Sequence, residues 1–380
     1  MIYPLLPVFL SRVLGASALS LGVIEGVAEG INSALKVASG YISDRRAKRR
    51  PIVIGGYALS SLARPFIAVT TTWPQVLLIR ALDRTGKGIR GAPRDAMLAR
   101  FATPQNRGRV FGFHRAMDHT GAIVGPLIAT CILSFAPEEY RLVFALTAIP
   151  GAIAVALLFL VPEPETAVES PRTVAPDVLA PSPATITPTS RPLVAFLAVL
   201  FVFSLGNSAD AFLLLRLSDA LGGATYIPLL WAALHVVKAS LSTWCGSLSD
   251  TFGRKRVIVI GWCVYAVVYI GFATATTATS LIAWFLVYGA FFALTEGAEK
   301  ALVADLAPSA RAGSAFGWYN ATLGLGALTA SITFGFIYER FSAAAAFGTG
   351  AALAAVAAVL LMWVPPAHRS AQREGGMVKS

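Results

Sequence analysis

Apolar runs separated by short polar stretches fill nearly the whole chain. A helix needs about 20 apolar residues to cross roughly 30 Å of hydrocarbon, and segments of that kind fall at 17–40, 52–70, 74–98, 110–134 and 142–161. After a polar interval the pattern resumes at 193–214, 226–246, 257–274, 280–303, 314–337 and 343–364. Eleven full spans are expected, so the chain is all-α and lives in a bilayer. Met1 to Leu10 is apolar but too short to span, and reads as half a helix.

The pattern is written twice. GYISDRRAKRR (Gly40 to Arg50) recurs 206 residues later as GSLSDTFGRKR (Gly246 to Arg256). GRVFGFHRAMDHTGA (Gly108 to Ala122) recurs 205 residues later as GSAFGWYNATLGLGA. Two matches at one offset point to duplication, and parallel repeats are a plan used by secondary transporters. The half-helix at the start corresponds to the later part of the span around Ser208 to Leu217. It is either a re-entrant segment or the remnant of a chain whose true start lies upstream, and the repeat favours the second.

Composition agrees: 56% hydrophobic and 13% charged residues with a mean hydropathy of +0.67 cannot be wrapped as a soluble core with a polar surface. The formal net charge of +11 is explained by topology rather than by nucleic acid. Lys and Arg gather in the loops of one side, among them Arg45, Arg46, Lys48, Arg49, Arg50, Arg107, Arg254, Lys255 and Arg256, which makes that side cytoplasmic. The expected organisation is a bundle at 1–162, a cytoplasmic Pro-rich linker at 163–191, a second bundle at 192–365 and a cytoplasmic tail at 366–380. Cys131, Cys245 and Cys263 lack metal-ligand spacing and read as small core residues.

With these residues in view, the chain resembles the bacterial major facilitator superfamily (MFS) over essentially its whole length. Gly40, Asp44, Arg45, Lys48 and Arg49 fit the family's signature loop between its second and third helices, with Ala47 where Gly is usual. Gly246, Asp250, Gly253, Arg254 and Lys255 fit the second copy, and RALDRTGKGIRGAPRDA (Arg80 to Ala96) is similar to the family's fourth helix, with extra charges as in a poorly characterised group of permeases. The resemblance implies two pseudo-symmetric six-helix bundles, the first helix truncated, and a gating role for Asp44, Arg45 and Asp95. Physically, an Asp at a helix end can accept from helix N-terminal amides of the opposite half and pair with a nearby Arg, forming a latch.

Ionisable residues inside spans are costly and normally face a bundle interior or watery cavity. Glu25, Glu29, Asn32 and Lys36 share a wedge of about 60°, and shifted by 206 the same positions are Trp231, His235, Lys238 and Ser242. The span from 74 to 98 adds Arg80, Asp83, Arg84, Lys87, Arg90 and Arg94; His114, Arg115 and Asp118 follow, then Asn207, Asp210, Glu296, Glu299, Lys300, Tyr319 and Asn320 in the second half. The candidate substrate or proton pathway comprises Glu25, Glu29, Asn32, Arg84, Lys87, His114, Asp118, Asn207, Asp210, Trp231, His235, Lys238, Glu299, Tyr319 and Asn320. Glu29 is expected to carry coupled protons, with Asp118 or Asp210 next, and His235 to bind substrate. The surplus of cations in the first half suggests an anionic group on the substrate or a carboxylate in the missing N-terminal part.

No nucleophile elbow, phosphate loop, HExxH helix or paired CxxC is present, so neither catalysis nor a cofactor is expected. The expected function is a secondary active transporter, monomeric in the inner or plasma membrane and driven by protons, exporting a small organic compound as the antiporter-like loop implies. Uptake of an organic anion by proton symport is the alternative. A non-transporting receptor or lipid scramblase is the rival from another class.

Overall fold

The computed structural model describes residues 5–6, 9–16, 18–46, 48–136, 139–162, 190–221, 226–308 and 311–365, leaving out the side chains of 11–12, 18–22, 25 and 228. Most of the expected linker and the tail from 366 onward lie outside the described residues. After a π-helical turn at Phe9–Val13, the first half contains α1 (Ala18–Arg45), α2 (Arg50–Ala63, continued by a 3-10 turn Arg64–Val69), α3 (Trp73–Phe101), α4 (Arg107–Phe135), α5 (Tyr140–Leu146) and α6 (Ala148–Leu158). The second half contains α7 (Arg191–Gly206), α8 (Asp210–Leu221), α9 (Ile227–Phe252), α10 (Arg254–Thr274), α11 (Ala278–Leu306), α12 (Ala312–Arg340) and α13 (Ala343–Trp363). Among the described residues, eight helical segments are long and apolar enough to cross a membrane. The protein is an all-α, multi-pass membrane protein.

The duplication is visible in the packing. In the first half α3 packs on α1 and α2, and α2 on α6; at the same offset α11 packs on α9 and α10, and α10 on α13. The halves meet through two related pairs, α4 along α9 and α1 along α12. Lipid tails offer no hydrophobic gain to helix association, so close backbone approach at small residues has to supply the contact. Gly56 of α2 faces Gly86 of α3, and Gly206 of α7 faces Gly350 of α13.

The core is uneven. The second half carries an aromatic cluster in which Phe203 stacks on Trp262 (centroids 4.5 Å apart) and Tyr265 on Tyr269 (4.1 Å). The start of the chain packs Leu6, Phe9 and Leu10 against Ile24, Ile67, Val76 and Phe144, with Phe9 edge-on to Phe144 at 5.0 Å.

One expected span is corrected. The segment 193–214 is not a single helix: α7 ends at Gly206, and α8 starts at Asp210 after a non-helical stretch of Asn207, Ser208 and Ala209. The freed polar groups find protein partners, as backbone at membrane depth requires. The Tyr265 hydroxyl donates to the Gly206 carbonyl (2.8 Å), and the Ser208 hydroxyl is bonded to Tyr269 Oη (3.0 Å).

Candidate functional site

Two carboxylates hold the halves together at one end. Asp44, in the last turn of α1, accepts from the backbone N–H groups of Gly313 (2.8 Å) and Ser314 (2.7 Å) and from the Ser314 hydroxyl, all at the N-terminus of α12. Asp250, in the last turn of α9, accepts from the N–H groups of Gly108 (2.9 Å) and Arg109 (2.8 Å) at the N-terminus of α4. The first four N–H groups of a helix have no partner inside it, and the helix dipole favours an anion there. Each Asp also takes a cation from beyond its own helix end: Arg49 on Asp44 at 3.1 Å, and Arg254 on Asp250. The glycines let the backbones close: a Cβ on Gly40 would lie 2.4 Å from the Gly313 carbonyl oxygen, and one on Gly108 2.3 Å from that of Gly246. Gly253 sits at φ +95°, where its lack of a side chain permits the turn between α9 and α10.

The latch end is asymmetric in its remaining charges. Asp305 at the end of α11 takes Arg107 of the opposite half (2.6 Å) and Arg254 of its own (3.1 Å). Deeper in, Lys300 of α11 bonds Asp95 of α3 at 2.5 Å, with the side chains 1% and 2% exposed, and Arg94 takes the same carboxylate at 3.2 Å. Lys300 and Arg94 are equivalent under the 206-residue offset. One carboxylate near the pseudo-twofold axis therefore neutralises both symmetry-related cations.

Above these pairs a titratable chain crosses between the halves. His119 of α4 places Nδ1 3.2 Å from Nδ1 of His235 on α9 and Nε2 3.0 Å from Oε2 of Glu296 on α11. Arg115 stands 3.7 Å from Glu296 and 3.4 Å from Asp118. Trp231 packs edge-on against His235 (5.0 Å), and Lys238 Nζ lies 3.3 Å over the Phe292 ring. Glu299, fully enclosed in the second half, accepts from Trp262 Nε1 (3.1 Å) and the Tyr319 hydroxyl (3.0 Å).

Toward the far end α1 and α12 part. On α1, Gly40, Ser33, Gly30, Gly26 and Glu29 fall on one face at 100° per residue. Ser33 still approaches Gly324 of α12, 2.8 Å from a Cβ there, whereas a Cβ on Gly30 or Gly26 would meet nothing within 4 Å. Glu29 and Lys87 are exposed although both lie within spans. α1 and α12 are thus closed on each other at the end bearing the basic loops and clear of each other around Gly26 and Gly30, while α4 and α9 stay in contact through His119 and His235.

The family model of the Major Facilitator Superfamily matches residues 1–237 and 196–379. The chain belongs to that superfamily. An uncharacterised MFS-type transporter of Methanocaldococcus jannaschii is 32% identical over 378 residues, covering 96% of this chain and 90% of its own. The multidrug resistance protein MdtH of Photorhabdus laumondii is 30% identical over 135 residues, 35% of this chain and 33% of its own. The proton:xylose symporter XylE has the same fold, with a TM-score of 0.72 at 18% identity over 91% of this chain and 86% of its own.

Within this MFS frame the residues singled out in the sequence divide into groups. Asp44, Arg49, Gly40, Gly246, Asp250 and Arg254 meet at the latches. Arg45 and Lys48 are exposed, and the cation on Asp44 is Arg49: Arg45 follows Asp44 by one residue and points about 100° away around the helix, whereas Arg49 lies beyond the helix end and folds back. Lys255 donates to the Val364 carbonyl instead of reaching the other half. Several basic residues of the first half are absorbed locally: Arg64 (2.8 Å) and Arg80 (3.5 Å) on Asp83, and Arg90 over the Tyr57 ring at 3.7 Å.

Glu29 accepts from Asn32 (2.8 Å), Asp118 lies between Arg115 and His114 (3.8 Å), and Asp210 accepts from the Tyr288 hydroxyl (2.8 Å). Asn320 donates to the Phe316 carbonyl (2.7 Å) within its own helix, and Asn207 lies in the helix break. Arg84 and Trp231 are half-buried, and the Glu25 side chain lies outside the described part. Lys238, Ser242 and Tyr319 are buried where helices pack rather than open to a cavity. Sequence reasoning left out His119 and gave Arg107 and Asp305 no partner. The signal for His119 is its position four residues after Arg115, on the face of α4 that carries Gly108 and Gly112 toward α9.

Proposed function

We propose that the protein is a secondary active transporter that works by alternating access, coupled to protons, and exports a small organic compound across the plasma membrane, with its latch end cytoplasmic. One observation carries the reading: two symmetry-related carboxylates cap helices of the opposite half at one end, while α1 and α12 are clear of each other around Gly26 and Gly30 toward the other end. Closure at that end adds these charge-assisted hydrogen bonds to the packing of α4 along α9 and α1 along α12, so weakening them shifts the balance toward the arrangement open at that end. The partial likeness to a multidrug resistance protein favours export.

A second reading, uptake of an organic anion with protons, is favoured by Lys36 and Lys87. Lys87 stands exposed within a span, with Lys36 and Glu29 close enough to act on its charge. An exposed cation at that depth, with half-buried Lys36 beside it, suits an anionic solute.

The test is purified protein in liposomes with an imposed pH gradient, screened with solutes that first raise its thermal stability, since ligands of the folded state do so. Accumulation of a stabilising solute against its gradient supports transport, and the direction of the pH gradient that drives it separates export from uptake. Stabilisation without flux for every such solute would leave a receptor or scramblase.

A further inference from the structure

We propose that His119, His235 and Glu296 form a single proton-binding site shared between the two halves, through which the latch-closed arrangement is read against pH. This deepens the reading above and rests on it, naming the groups that take the coupled proton in place of Glu29.

The geometry limits what the site can hold. His119 belongs to the first half, His235 and Glu296 to the second, and both imidazoles are buried. A contact between two Nδ1 atoms at 3.2 Å is a hydrogen bond only when one nitrogen carries hydrogen and the other a lone pair. The 3.0 Å contact to Glu296 has His119 Nε2 donating to the carboxylate. With both rings neutral, therefore, His235 Nδ1–H donates to His119 Nδ1.

One added proton fits without breaking either contact. It enters at Nε2 of His235, which keeps its Nδ1–H on His119; passing that Nδ1 proton along the bond moves the positive charge onto His119. In both forms the bond between the halves becomes charge-assisted, and with the charge on His119 so does its bond to the Glu296 carboxylate. Such bonds are roughly twice as strong as neutral ones. A second proton would leave two N–H groups facing each other across the interface and no lone pair between them. The site therefore accepts one proton in favour of closure and opposes a second.

The charged groups facing the site belong to the elements packed around it. Arg115 and Asp118 stand on α4, Glu296 on α11, Lys238 on α9 and, beyond Lys238, Asp210 on α8. Arg115 competes with His119 for Glu296 from 3.7 Å, a longer contact than the 3.0 Å of His119. Moving the halves apart at α4 and α9 separates both histidines at once. Proton affinity at this site is thus tied to conformation by construction, which Glu29, bonded only within its own helix to Asn32, lacks.

The experiment uses the full chain in lipid nanodiscs without solute. Spin labels on Arg46 and Thr251, exposed at the latch-end termini of α1 and α9, report the separation of the halves by pulsed electron resonance. As pH falls from about 8 to about 4, the closed-to-open ratio of the wild-type protein should rise, by at most about tenfold per pH unit, the limit for one proton. His119→Gln and His235→Gln should each flatten that dependence, while Glu29→Gln should leave it intact.

A flat wild-type response, or an unchanged slope in both histidine variants, overturns the proposal. If the variants do not fold, nitrogen-15 spectra of histidine-labelled wild-type protein decide it: two imidazoles taking up one proton together support the shared site, and two independent titrations overturn it. If Asp44→Asn opens the latch while pH does nothing, the proton site alone fails. If neither opens it, alternating access fails as well.

Discussion

Replacing Asp44 by Asn tests whether the latch governs the balance between open and closed ends. The carboxylate receives two backbone N–H groups at 2.8 and 2.7 Å, the Ser314 hydroxyl and the Arg49 guanidinium at 3.1 Å. Asn keeps one acceptor oxygen and turns an NH2 group toward donors that the second oxygen used to satisfy. It also leaves Arg49, 2% exposed, without that counter-charge. Hydrogen bonds to charged groups contribute about 1.5–3 kcal/mol each, and one such bond is lost outright in the closed arrangement only. The closed-to-open ratio should fall by about ten- to a hundredfold, since 1.4 kcal/mol is a factor of ten. Pulsed electron resonance with labels on Arg46 and Thr251 measures this directly, and in liposomes turnover should drop while solute affinity changes little. An unaltered distance distribution together with unaltered turnover would sink the latch and leave the basic run as a topology anchor.

Asp250→Asn should act in the same direction and by a similar factor; the two sites share no partner, so the combined variant should multiply the effects, and a double variant no more open than either single one would contradict independent latches. Gly108→Val puts atoms where a Cβ already lies 2.3 Å from the Gly246 carbonyl oxygen, so overpacking of about 1–3 kcal/mol should open the latch end by the same spectroscopic measure. Asp95→Asn breaks a buried pair between the halves at a cost of about 3–5 kcal/mol, read as a lower unfolding temperature in detergent; adding Lys300→Met should restore part of it, and a double variant as unstable as the single one would refute the pairing.

How much of this was legible in the sequence follows from the range of each interaction. The duplication, the spans and the latch carboxylates could be read because each rests on local spacing: Asp44 and Asp250 sit at the same place in a repeated phrase, and a helix end beside a basic run has few roles. The break at Asn207–Ala209 escaped because no proline marks it and the apolar runs on either side of Gly206 and Asp210 merge into one span of ordinary length; Tyr265 and Tyr269, about 60 residues away, satisfy the freed groups. The partners of the buried charges escaped for the same reason. Asp95 was singled out, but its pairing with Lys300 depends on how α3 meets α11 across the halves, which periodicity along one helix does not encode. Glu29 lies on the face of α1 that carries Gly26 and Gly30, a face clear of α12 at its depth, whereas the contact between halves at His119 could not be read because the duplication supplies no equivalent imidazole.

The central claim is that one arrangement closes the latch end and opens the far end, and that the two exchange. A single cysteine at Gly30, in protein whose Cys131, Cys245 and Cys263 are replaced by serine, tests it with membrane-impermeant thiol reagents applied to either side of sealed vesicles. Position 30 has room for the side chain and lies on the face that α12 leaves clear. The wild-type background should be labelled from the far side and protected from the latch side, and Asp44→Asn with Asp250→Asn should reverse that preference. Equal labelling from the latch side in the wild-type background, or a pattern indifferent to both substitutions, would contradict alternating access.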